Sequence, residues 1–397
     1  MVPYVQTPLF FTPLGLTAPG ARGHIHSIPV DPSLNSPTAI AELTGQMLIS
    51  GFEGARLNAE TESLIREQRL GGVILFSRNY ENPGQLQSLI QDLQAVAAES
   101  SPGRPLFISV DQEGGKVARL TDPFTAFPEA QCLGRAGSAD LARRLGQALG
   151  RELAAVGVNM DYAPVLDVNS NPENPVIGSR AFSADPLRTA VLGVAFMDGL
   201  QQAGVIPVGK HFPGHGDTTT DSHLELPCVA KDADSLEQVE LAPFAAAVKH
   251  GLQVMMTAHV VYPAWDPEAP ATFSPAILDS LLRRRMGFDG IILSDDLEMK
   301  AVDKNLEFET LPRRGVAAGL DVFLLCNNPE KVKHLHRILT EDVEAGRIPL
   351  AAVRRSVDRI QKVKAGIPEP SSTPPDFTLW QEEHLALARE MEGHLPA

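Results

Sequence analysis

The stretch IILSDDLEM, residues 291–299, is an apolar run of strand length that ends in two adjacent aspartates. Seven more apolar runs of strand length occur along the chain, and longer stretches with helical spacing separate them. The eight runs are residues 47–49, 73–76, 106–110, 158–163, 205–208, 254–257, 291–293 and 322–325. Eight strands that alternate with helices over roughly 320 residues predict a closed (β/α)8 TIM barrel, an α/β fold.

The main alternative fold is an open, doubly wound sheet. The Gly-rich phosphate loop that favours it, G-x-G-x-x-G, follows none of the eight runs, so the sequence favours the barrel. Pro207 weakens the prediction of the fifth strand, because proline cannot donate a hydrogen bond to a neighbouring strand. Helices are predicted to begin after Asn82 and after Ser138, and to occupy residues 184–200, 235–249, 275–285 and 329–339.

The composition divides the chain into three parts. Residues 1–37 are Pro-rich and aperiodic, which predicts an extended N-terminal arm, and residues 38–366 hold the barrel. In the third part, residues 367–397, the segment IPEPSSTPPDF predicts a linker. A last helix, at about residues 379–392, is expected to pack on the barrel exterior or on a partner.

The bulk composition excludes several classes of partner. The formal net charge is -15 without a basic stripe, which argues against nucleic acid and against an anionic membrane surface. No segment approaches the ~18 to 20 apolar residues of a membrane span, and the N-terminus lacks the basic start of a signal peptide. Three cysteines, an odd and sparse set, fit a reducing compartment. The sequence therefore predicts a cytoplasmic protein.

Functional residues of a (β/α)8 barrel collect at the carboxyl ends of its strands. Loops are polar in any protein, but a carboxylate buried at a strand end costs free energy unless it is paired. The residues that follow the predicted strands are Arg78 and Asn79; Asp111, Gln112 and Glu113; Asp161 and Asp167; Lys210 and His211; His259; Asp295 and Asp296; Asn327 and Asn328.

Asp295 and Asp296 end the seventh strand. Because adjacent strand residues point to opposite faces, only one of the two is expected to face the barrel mouth, as a nucleophile or base. The other is expected to be a structural partner on the helix layer. An ordinary helix N-cap is the alternative for this Ser-Asp-Asp sequence.

The stretch KHFPGHGDTTTDSH, residues 210–223, concentrates titratable side chains on one loop. Asp221 and His223 are two residues apart, so in an extended segment the carboxylate can hold the imidazole, as an acid/base catalyst needs. His215 and Asp217 repeat this spacing. The alternatives are a loop of surface histidines, or a metal site made of His211, His215 and either Asp217 or His223.

Two further stretches suggest a ligand-binding site. DQEGGKVAR joins the carboxylate of Asp111 to a Gly-Gly turn and to Arg119, and NPVIGSRAF presents Arg180 just beyond a glycine. Carboxylates that accept hydrogen bonds from paired hydroxyls, with Arg and Lys beside them, are how proteins hold a sugar. A surface ion pair is the alternative for each arginine.

Six stretches in order, ILFSRNY, DQEGGKVARL, APVLDVN, VIGSRAF, GKHFPGHGDTTTDSH and GFDGIILSDDLEM, closely resemble the β-N-acetylglucosaminidases of glycoside hydrolase family 3, in the bacterial peptidoglycan-recycling branch. The resemblance covers roughly residues 40 to 345. It implies a retaining hydrolase that removes terminal N-acetylglucosamine from muropeptides with an anhydro-muramic end, through a covalent glycosyl-enzyme. It implies no metal and no other cofactor. The barrel alone is expected to form the complete site.

The resemblance also implies roles for individual residues. The aspartate directly after the strand-seven serine is the family's nucleophile, here Asp295, and the Asp-Ser-His element supplies the acid/base, here His223 oriented by Asp221. Lys116 stands where arginine is common in the family. The substrate-binding roles carry over to Asp111, Arg119, Arg180, Lys210 and His211.

Other activities fit the same residues. A neutral imidazole base repels an anionic acceptor less than a carboxylate does, so a β-N-acetylglucosaminide phosphorylase is one alternative. A β-glucosidase would use the same site. A non-catalytic sugar-binding barrel and a metal-dependent hydrolase are alternatives of other classes.

Overall fold

The computed structural model describes residues 36–219, 226–369 and 373–395. Twelve strands occur in these residues: β1 (Leu48–Ser50), β2 (Gly72–Leu75), β3 (Phe107–Val110), β4 (Gln112–Gly114), β5 (Val117–Ala118), β6 (Met160–Asp161), β7 (Ile206–Phe212), β8 (Val254–Thr257), β9 (Val261–Tyr262), β10 (Asp266–Pro270), β11 (Ile291–Asp296) and β12 (Val322–Leu325).

Eight of these strands form a closed parallel barrel in the order β1-β12-β11-β8-β7-β6-β3-β2. Closure is made by β1, where Leu48 pairs with Phe323 on one side and Ile49 pairs with Gly72 on the other. Each barrel strand overlaps one of the eight predicted runs, so the (β/α)8 prediction is confirmed. The remaining strands form two antiparallel pairs, β4 with β5 and β9 with β10, in the loops that follow β3 and β8.

Pro207 lies inside β7 without breaking it. The neighbouring N–H groups of Ile206 and Val208 donate to the carbonyl oxygens of Asn159 and Ala163, each at 2.9 Å. The ladder between β7 and β6 therefore depends on the residues that flank the proline, and the missing N–H of Pro207 costs this ladder no hydrogen bond.

Helices surround the barrel. They are α1 (Pro37–Gly45), α2 (Ala59–Gln68), α3 (Pro83–Ser100), α4 (Gln131–Ala136), α5 (Ala139–Val156), α6 (Pro186–Gln202), α7 (Ala233–Gln238), α8 (Leu241–Lys249), a π-helical segment (Ala276–Arg285), α9 (Lys300–Asp303), α10 (Leu311–Ala318), α11 (Pro329–Glu344), α12 (Leu350–Lys364) and α13 (Gln381–Glu392). Short 3-10 turns lie at Ser77–Asn79, Gly178–Arg180, Ala271–Phe273, Phe308–Thr310 and Phe377–Leu379.

Both predicted helix caps are present. The side chain of Asn82 accepts the N–H of Gln85, and that of Ser138 accepts the N–H of Leu141, so each satisfies a donor that the helix leaves free. The single helix predicted at residues 235–249 is wrong, because it divides into α7 and α8. Pro243 explains the break: it has no N–H to donate to the carbonyl of Val239, as a continuous helix would require.

The C-terminal helix α13 packs on the outside of the barrel against α4 and α5, which confirms exterior packing. His384 Nδ1 lies 2.7 Å from Glu152 Oε1, and both side chains are almost fully buried. Phe377, the last residue of the predicted linker, is also buried and packs edge-on against Phe124. The predicted N-terminal arm lies outside the described residues, apart from its last two positions.

The barrel strands are buried on both faces, as the strands of a parallel barrel are. All four residues of β12 are at most 2% exposed. Among the described residues, no helix reaches the combination of length and apolarity that crossing a membrane requires.

Candidate active site

A cavity of about 300 Å³ lies at the carboxyl ends of the barrel strands. Its floor is apolar and is formed by side chains of the strands and their immediate continuations: Ile74, Tyr162, Met256 and Leu324. Six of the eight site residues predicted from the sequence line it: Asp111, Arg119, Arg180, Lys210, His211 and Asp295. The fold therefore brings together residues that are up to 184 positions apart in the chain.

One wall of the cavity is an ionic cluster centred on Lys210. The Lys210 Nζ atom lies 2.7 Å from Asp111 Oδ1 and 2.6 Å from Glu113 Oε1. Arg180 holds Glu113 through two parallel contacts, at 2.9 Å from Nε and 2.7 Å from Nη2. Arg119 Nη2 is 3.7 Å from Asp111 Oδ2. Because Lys210 is only 2% exposed, its charge requires these two carboxylates.

The cluster keeps Glu113 and Lys210 charged at neutral pH. Burial disfavours the ionised form of Glu113, but the charges of Lys210 and Arg180 outweigh burial and lower the pKa of Glu113 to about 2. Burial likewise disfavours protonated Lys210, but Asp111 and Glu113 outweigh it and raise the pKa of Lys210. The result is a fixed set of charged donors and acceptors, which suits the recognition of sugar hydroxyls.

Asp295 lies at the end of β11, and its Oδ1 accepts the backbone N–H of Asp296 at 2.8 Å. Burial disfavours ionisation of Asp295, but the electrostatic influence of His211, the backbone N–H of Asp296 and the charge of Lys210 outweigh burial and lower its pKa. The carboxylate is therefore ionised at neutral pH, which a nucleophile requires.

His259 supports the strand end that carries Asp295. Its Nε2 donates to the backbone carbonyl of Asp296 at 3.1 Å, and its Nδ1 lies 2.8 Å from Thr272 Oγ1. Burial lowers the pKa of His259, so the ring is neutral and holds the strand end through hydrogen bonds.

Asp296 also contributes to the cavity lining, beside Asp295. The register between β11 and β12 shifts between Leu293 and Asp296, and this irregularity interrupts the alternation of side chains. The roles still differ. Asp296 Oδ1 accepts the backbone N–H groups of Glu298 and Cys326, and burial raises the pKa of Asp296 to about 7.

Asp167 organises the start of the histidine-containing loop. Its Oδ2 lies 2.7 Å from His211 Nδ1, and its Oδ1 accepts the backbone N–H of His215 at 2.6 Å. Asp167 is fully buried, and its contacts with His211 and with the backbone N–H of His215 outweigh the effect of burial and lower its pKa. A carboxylate behind an imidazole fixes the orientation of the ring and of the nitrogen that faces away from it.

The three described residues of the metal hypothesis each have a separate partner. His211 contacts Asp167, His215 Nδ1 lies 2.9 Å from Thr218 Oγ1, and Asp217 Oδ1 lies 3.0 Å from Lys231 Nζ. Burial lowers the pKa of His215 to about 4. Within residues 36–219, 226–369 and 373–395, no group of three or more His, Cys, Asp or Glu side chains is placed to hold a metal ion.

Asp221 and His223, the predicted acid/base pair, lie outside the described residues, which stop at 219 and resume at 226. Their roles stay predictions. In the alternative pair of the same spacing, His215 contacts Thr218 and Asp217 contacts Lys231.

Several residues in or behind the cavity wall have no role predicted from the sequence. The positions of Glu113, Asp167 and His259 at strand ends were noted in the sequence, but nothing there indicated their partners. Tyr162 and Met256 line the cavity floor but lie inside the apolar runs. In such a run the sequence does not distinguish a residue that lines a cavity from one that packs in the core.

Residues 39–363 match the Glycosyl hydrolase family 3 N terminal domain. A Beta-hexosaminidase of Alkalilimnicola ehrlichii is 42% identical over 303 residues, which make up 74% of this chain and 84% of that protein. A glycoside hydrolase family 3 beta-N-acetylglucosaminidase from Paenibacillus sp. str. FPU-7 is 40% identical, with a TM-score of 0.86 over 89% of this chain and 68% of that one.

A third similar protein is NagZ from Neisseria gonorrhoeae, solved in complex with N-trifluoroacetyl-D-glucosamine. It is 32% identical, with a TM-score of 0.72, and the match covers 88% of this chain and 97% of that chain. The family match spans every barrel strand and all six described site residues that line the cavity. The resemblance inferred from the sequence motifs is thereby confirmed: the chain belongs to glycoside hydrolase family 3.

Proposed function

We propose that the enzyme is a retaining exo-β-N-acetylglucosaminidase in which Asp295 is the nucleophile and His223, oriented by Asp221, is the acid/base. The observation that carries this proposal is the position of Asp295. Its carboxylate has a lowered pKa and lies in the same cavity as Lys210, Asp111 and Arg180, which Glu113 holds from behind in one charged cluster. A sugar held by the cluster presents its anomeric carbon to an ionised carboxylate.

The reaction has two steps. Asp295 attacks the anomeric carbon while His223 gives a proton to the departing glycosidic oxygen, which forms a covalent glycosyl-enzyme. Water then loses a proton to His223 and attacks the same carbon, which releases the sugar with its original configuration. His223 replaces the second carboxylate that most retaining glycosidases use.

The residues of the cluster bind the sugar. The free lone pairs of Asp111 accept hydroxyl groups, while Arg119, Arg180 and Lys210 donate and hold the carboxylates in place. His211, oriented by Asp167, adds a ring nitrogen to the same cavity. The names of the similar proteins, Beta-hexosaminidase and beta-N-acetylglucosaminidase, support N-acetylglucosamine as the sugar.

For the natural substrate we propose a muropeptide in which N-acetylglucosamine is linked to an anhydro-muramic residue, and for the biological role, peptidoglycan recycling in the cytoplasm. The resemblance of the motifs supports the substrate and the role. The three cysteines, all free and two of them buried, are compatible with a reducing compartment.

The deciding assay compares p-nitrophenyl N-acetyl-β-glucosaminide with p-nitrophenyl β-glucoside. We expect a strong preference for the N-acetylated substrate, no loss in EDTA, and the β-anomer of N-acetylglucosamine as the first product in a proton NMR time course. The α-anomer as first product would overturn the retaining mechanism. A sugar 1-phosphate formed only in phosphate buffer would replace the hydrolase by a phosphorylase, and binding of N-acetylglucosamine without cleavage would indicate a non-catalytic barrel.

A further inference from the structure

Arg119 is held in the cavity differently from Lys210 and Arg180. Lys210 Nζ lies 2.7 Å from Asp111 Oδ1 and 2.6 Å from Glu113 Oε1, and Arg180 holds Glu113 through two parallel contacts. The guanidinium of Arg119 makes no hydrogen bond with any residue that the structure describes, and its contact with a carboxylate, from Nη2 to Asp111 Oδ2, measures 3.7 Å. Its N–H groups are therefore available to a sugar.

A guanidinium without hydrogen bonds needs another contact to define its direction. The Nε atom of Arg119 is buried and has no hydrogen-bond partner among the described residues, while 33% of the side chain is exposed. A long side chain that moves freely loses conformational entropy when it is ordered by a ligand, which costs affinity. A contact that orders the guanidinium in advance therefore favours binding.

The ring of Phe76 provides such a contact. Arg119 Cζ lies 5.7 Å from the centroid of this ring, within the range of about 6 Å over which a cation is attracted to an aromatic face, and both side chains line the cavity. The attraction comes from the negative charge of the ring face and uses none of the directed hydrogen bonds of the guanidinium. The ring can thus orient Arg119 and leave its donors to the sugar.

Phe76 is itself held in place. The Cζ atom of Arg78 lies 4.4 Å from the centroid of the same ring. Arg78 is anchored in turn, because its Nε donates to the carbonyl of Phe52 at 3.0 Å and its Nη2 donates to the carbonyl of Cys326 at 2.6 Å. The N–H of Phe76 donates to Asn79 Oδ1 at 2.9 Å. The ring is therefore tied to the chain that follows β1 and β12.

The backbone of Arg119 is fixed by other contacts. Its N–H donates to Gln112 Oε1 at 2.8 Å, and its carbonyl accepts the hydroxyl of Ser77 at 3.0 Å. These two hydrogen bonds fix the point from which the side chain starts. They leave the direction of the guanidinium to its own contacts, which are the ring of Phe76 and the longer one to Asp111.

We propose that Phe76 is a positioning residue of the enzyme: its ring holds the guanidinium of Arg119 in the orientation in which the unpaired N–H groups reach the sugar. This inference rests on the proposed function, because it needs Arg119 as a sugar-binding residue. Phe76 acts through Arg119, so the effect of replacing the ring must depend on the presence of the guanidinium.

The test is a double-mutant cycle that measures kcat/KM on p-nitrophenyl N-acetyl-β-glucosaminide and the inhibition constant of N-acetylglucosamine. For Phe76→Leu we expect kcat/KM to fall and the inhibition constant to rise, each at least about 5-fold. In an Arg119→Met background the same replacement should change both constants by less than about 2-fold, because the partner of the ring is already absent. Phe76→Tyr keeps the aromatic face and should retain most of the wild-type activity.

Phe308→Leu is the matched control. The ring of Phe308 contacts a cation in the same way, with Lys331 Nζ 5.9 Å from its centroid, but Phe308 does not line the cavity. This variant should leave both constants unchanged. Mono-, di- and trifluorophenylalanine at position 76 provide a second measurement if Phe76→Leu does not fold, because fluorine weakens the charge of the ring face and nearly keeps its shape. We expect kcat/KM to fall with each fluorine, and to stay constant along the series when Arg119 is replaced by methionine.

Three outcomes would overturn the positioning role. They are wild-type constants in a folded Phe76→Leu enzyme, an unchanged kcat/KM along the fluorinated series, and a loss of the same size with and without Arg119, which would mean that the ring contacts the sugar directly. Wild-type enzyme that binds N-acetylglucosamine and cleaves none of the glycosides would instead refute the proposed function. The dissociation constants of N-acetylglucosamine for the same variants would then still decide the role of Phe76.

Discussion

Lys210 Nζ and Asp111 Oδ1 lie 2.7 Å apart in the wall of the cavity, although 98 residues separate them in the chain. Asp111 directly follows β3 and Lys210 lies within β7, so the closure of the barrel brings the two together. Lys210 uses its second contact for Glu113, which Arg180 holds from the other side. The carboxylate of Asp111 is thus fixed in orientation before a sugar arrives, which reduces the cost of ordering on binding.

Replacing Lys210 by methionine should damage both binding and stability. Asp111 loses its strongest contact, and Glu113 is left buried with Arg180 alone, so we expect kcat/KM on p-nitrophenyl N-acetyl-β-glucosaminide to fall at least about 100-fold and the free energy of unfolding to fall by about 3 kcal/mol. Urea unfolding and steady-state kinetics measure the two effects. Lys116→Met, at an exposed position, is the control and should change neither. A fully active Lys210→Met enzyme would contradict the role of the cluster.

Asp295→Asn should remove at least about three orders of magnitude of kcat/KM with little change in Tm, because the amide keeps the size of the side chain and loses the nucleophilic oxygen anion. Asp296→Asn is the matched comparison. An amide oxygen can still accept the N–H groups of Glu298 and Cys326, so we expect a loss within about 10-fold. Equal losses in the two variants would contradict the assignment of Asp295 as nucleophile.

His223→Ala should distinguish substrates by their leaving groups. Alkyl glycosides and disaccharides need a proton on the departing oxygen, whereas activated aryl glycosides need it far less. We expect kcat/KM to fall at least about 100-fold more on the former. Comparing the two substrate classes in one preparation controls for the fraction of folded enzyme, and identical losses on both would argue against an acid role for His223.

The fold was predictable because the strands of a parallel barrel are buried on both faces. Such strands are short apolar runs, and all eight were found in this way, including the one that contains Pro207. The break between α7 and α8 was missed because the helical spacing of the apolar residues continues through it. The signal that was overlooked is Pro243, which leaves the carbonyl of Val239 without its helical donor.

The sequence predicted which residues form the candidate site better than it predicted the contacts among them. Strand-end position identified Asp111, Lys210 and Asp295, since the carboxyl ends of barrel strands meet at one face. It gave no indication that Glu113 would share Lys210 with Asp111, because that contact joins different strands and depends on the closed barrel. Alternation along the strand gave no indication that Asp296 would contribute to the cavity lining beside Asp295, at the end of β11 where the register is irregular.

The pH dependence of stability should reveal Lys364, a buried lysine in α12. Its Nζ lies 2.9 Å from Gln46 Oε1 and 5.0 Å from the ring centroid of Phe107. Burial, with a further contribution from Arg104, lowers the pKa of Lys364 to about 7, whereas the unfolded chain retains the ordinary value near 10.4. Between these two values the unfolded state binds a proton that the folded state does not.

Stability should therefore rise as the pH rises from about 7 toward 10, by about 2 kcal/mol between pH 7 and 9 from this group alone. The measurement is the free energy of unfolding in urea at pH 6, 7, 8 and 9 for the wild type and for Lys364→Met, which cannot titrate. The difference between the two proteins in how the free energy of unfolding rises with pH gives the contribution of Lys364, because all other groups titrate in both. Parallel profiles for the two proteins would mean that Lys364 stays protonated in the folded state, stabilised by Gln46 and the ring of Phe107 despite its burial.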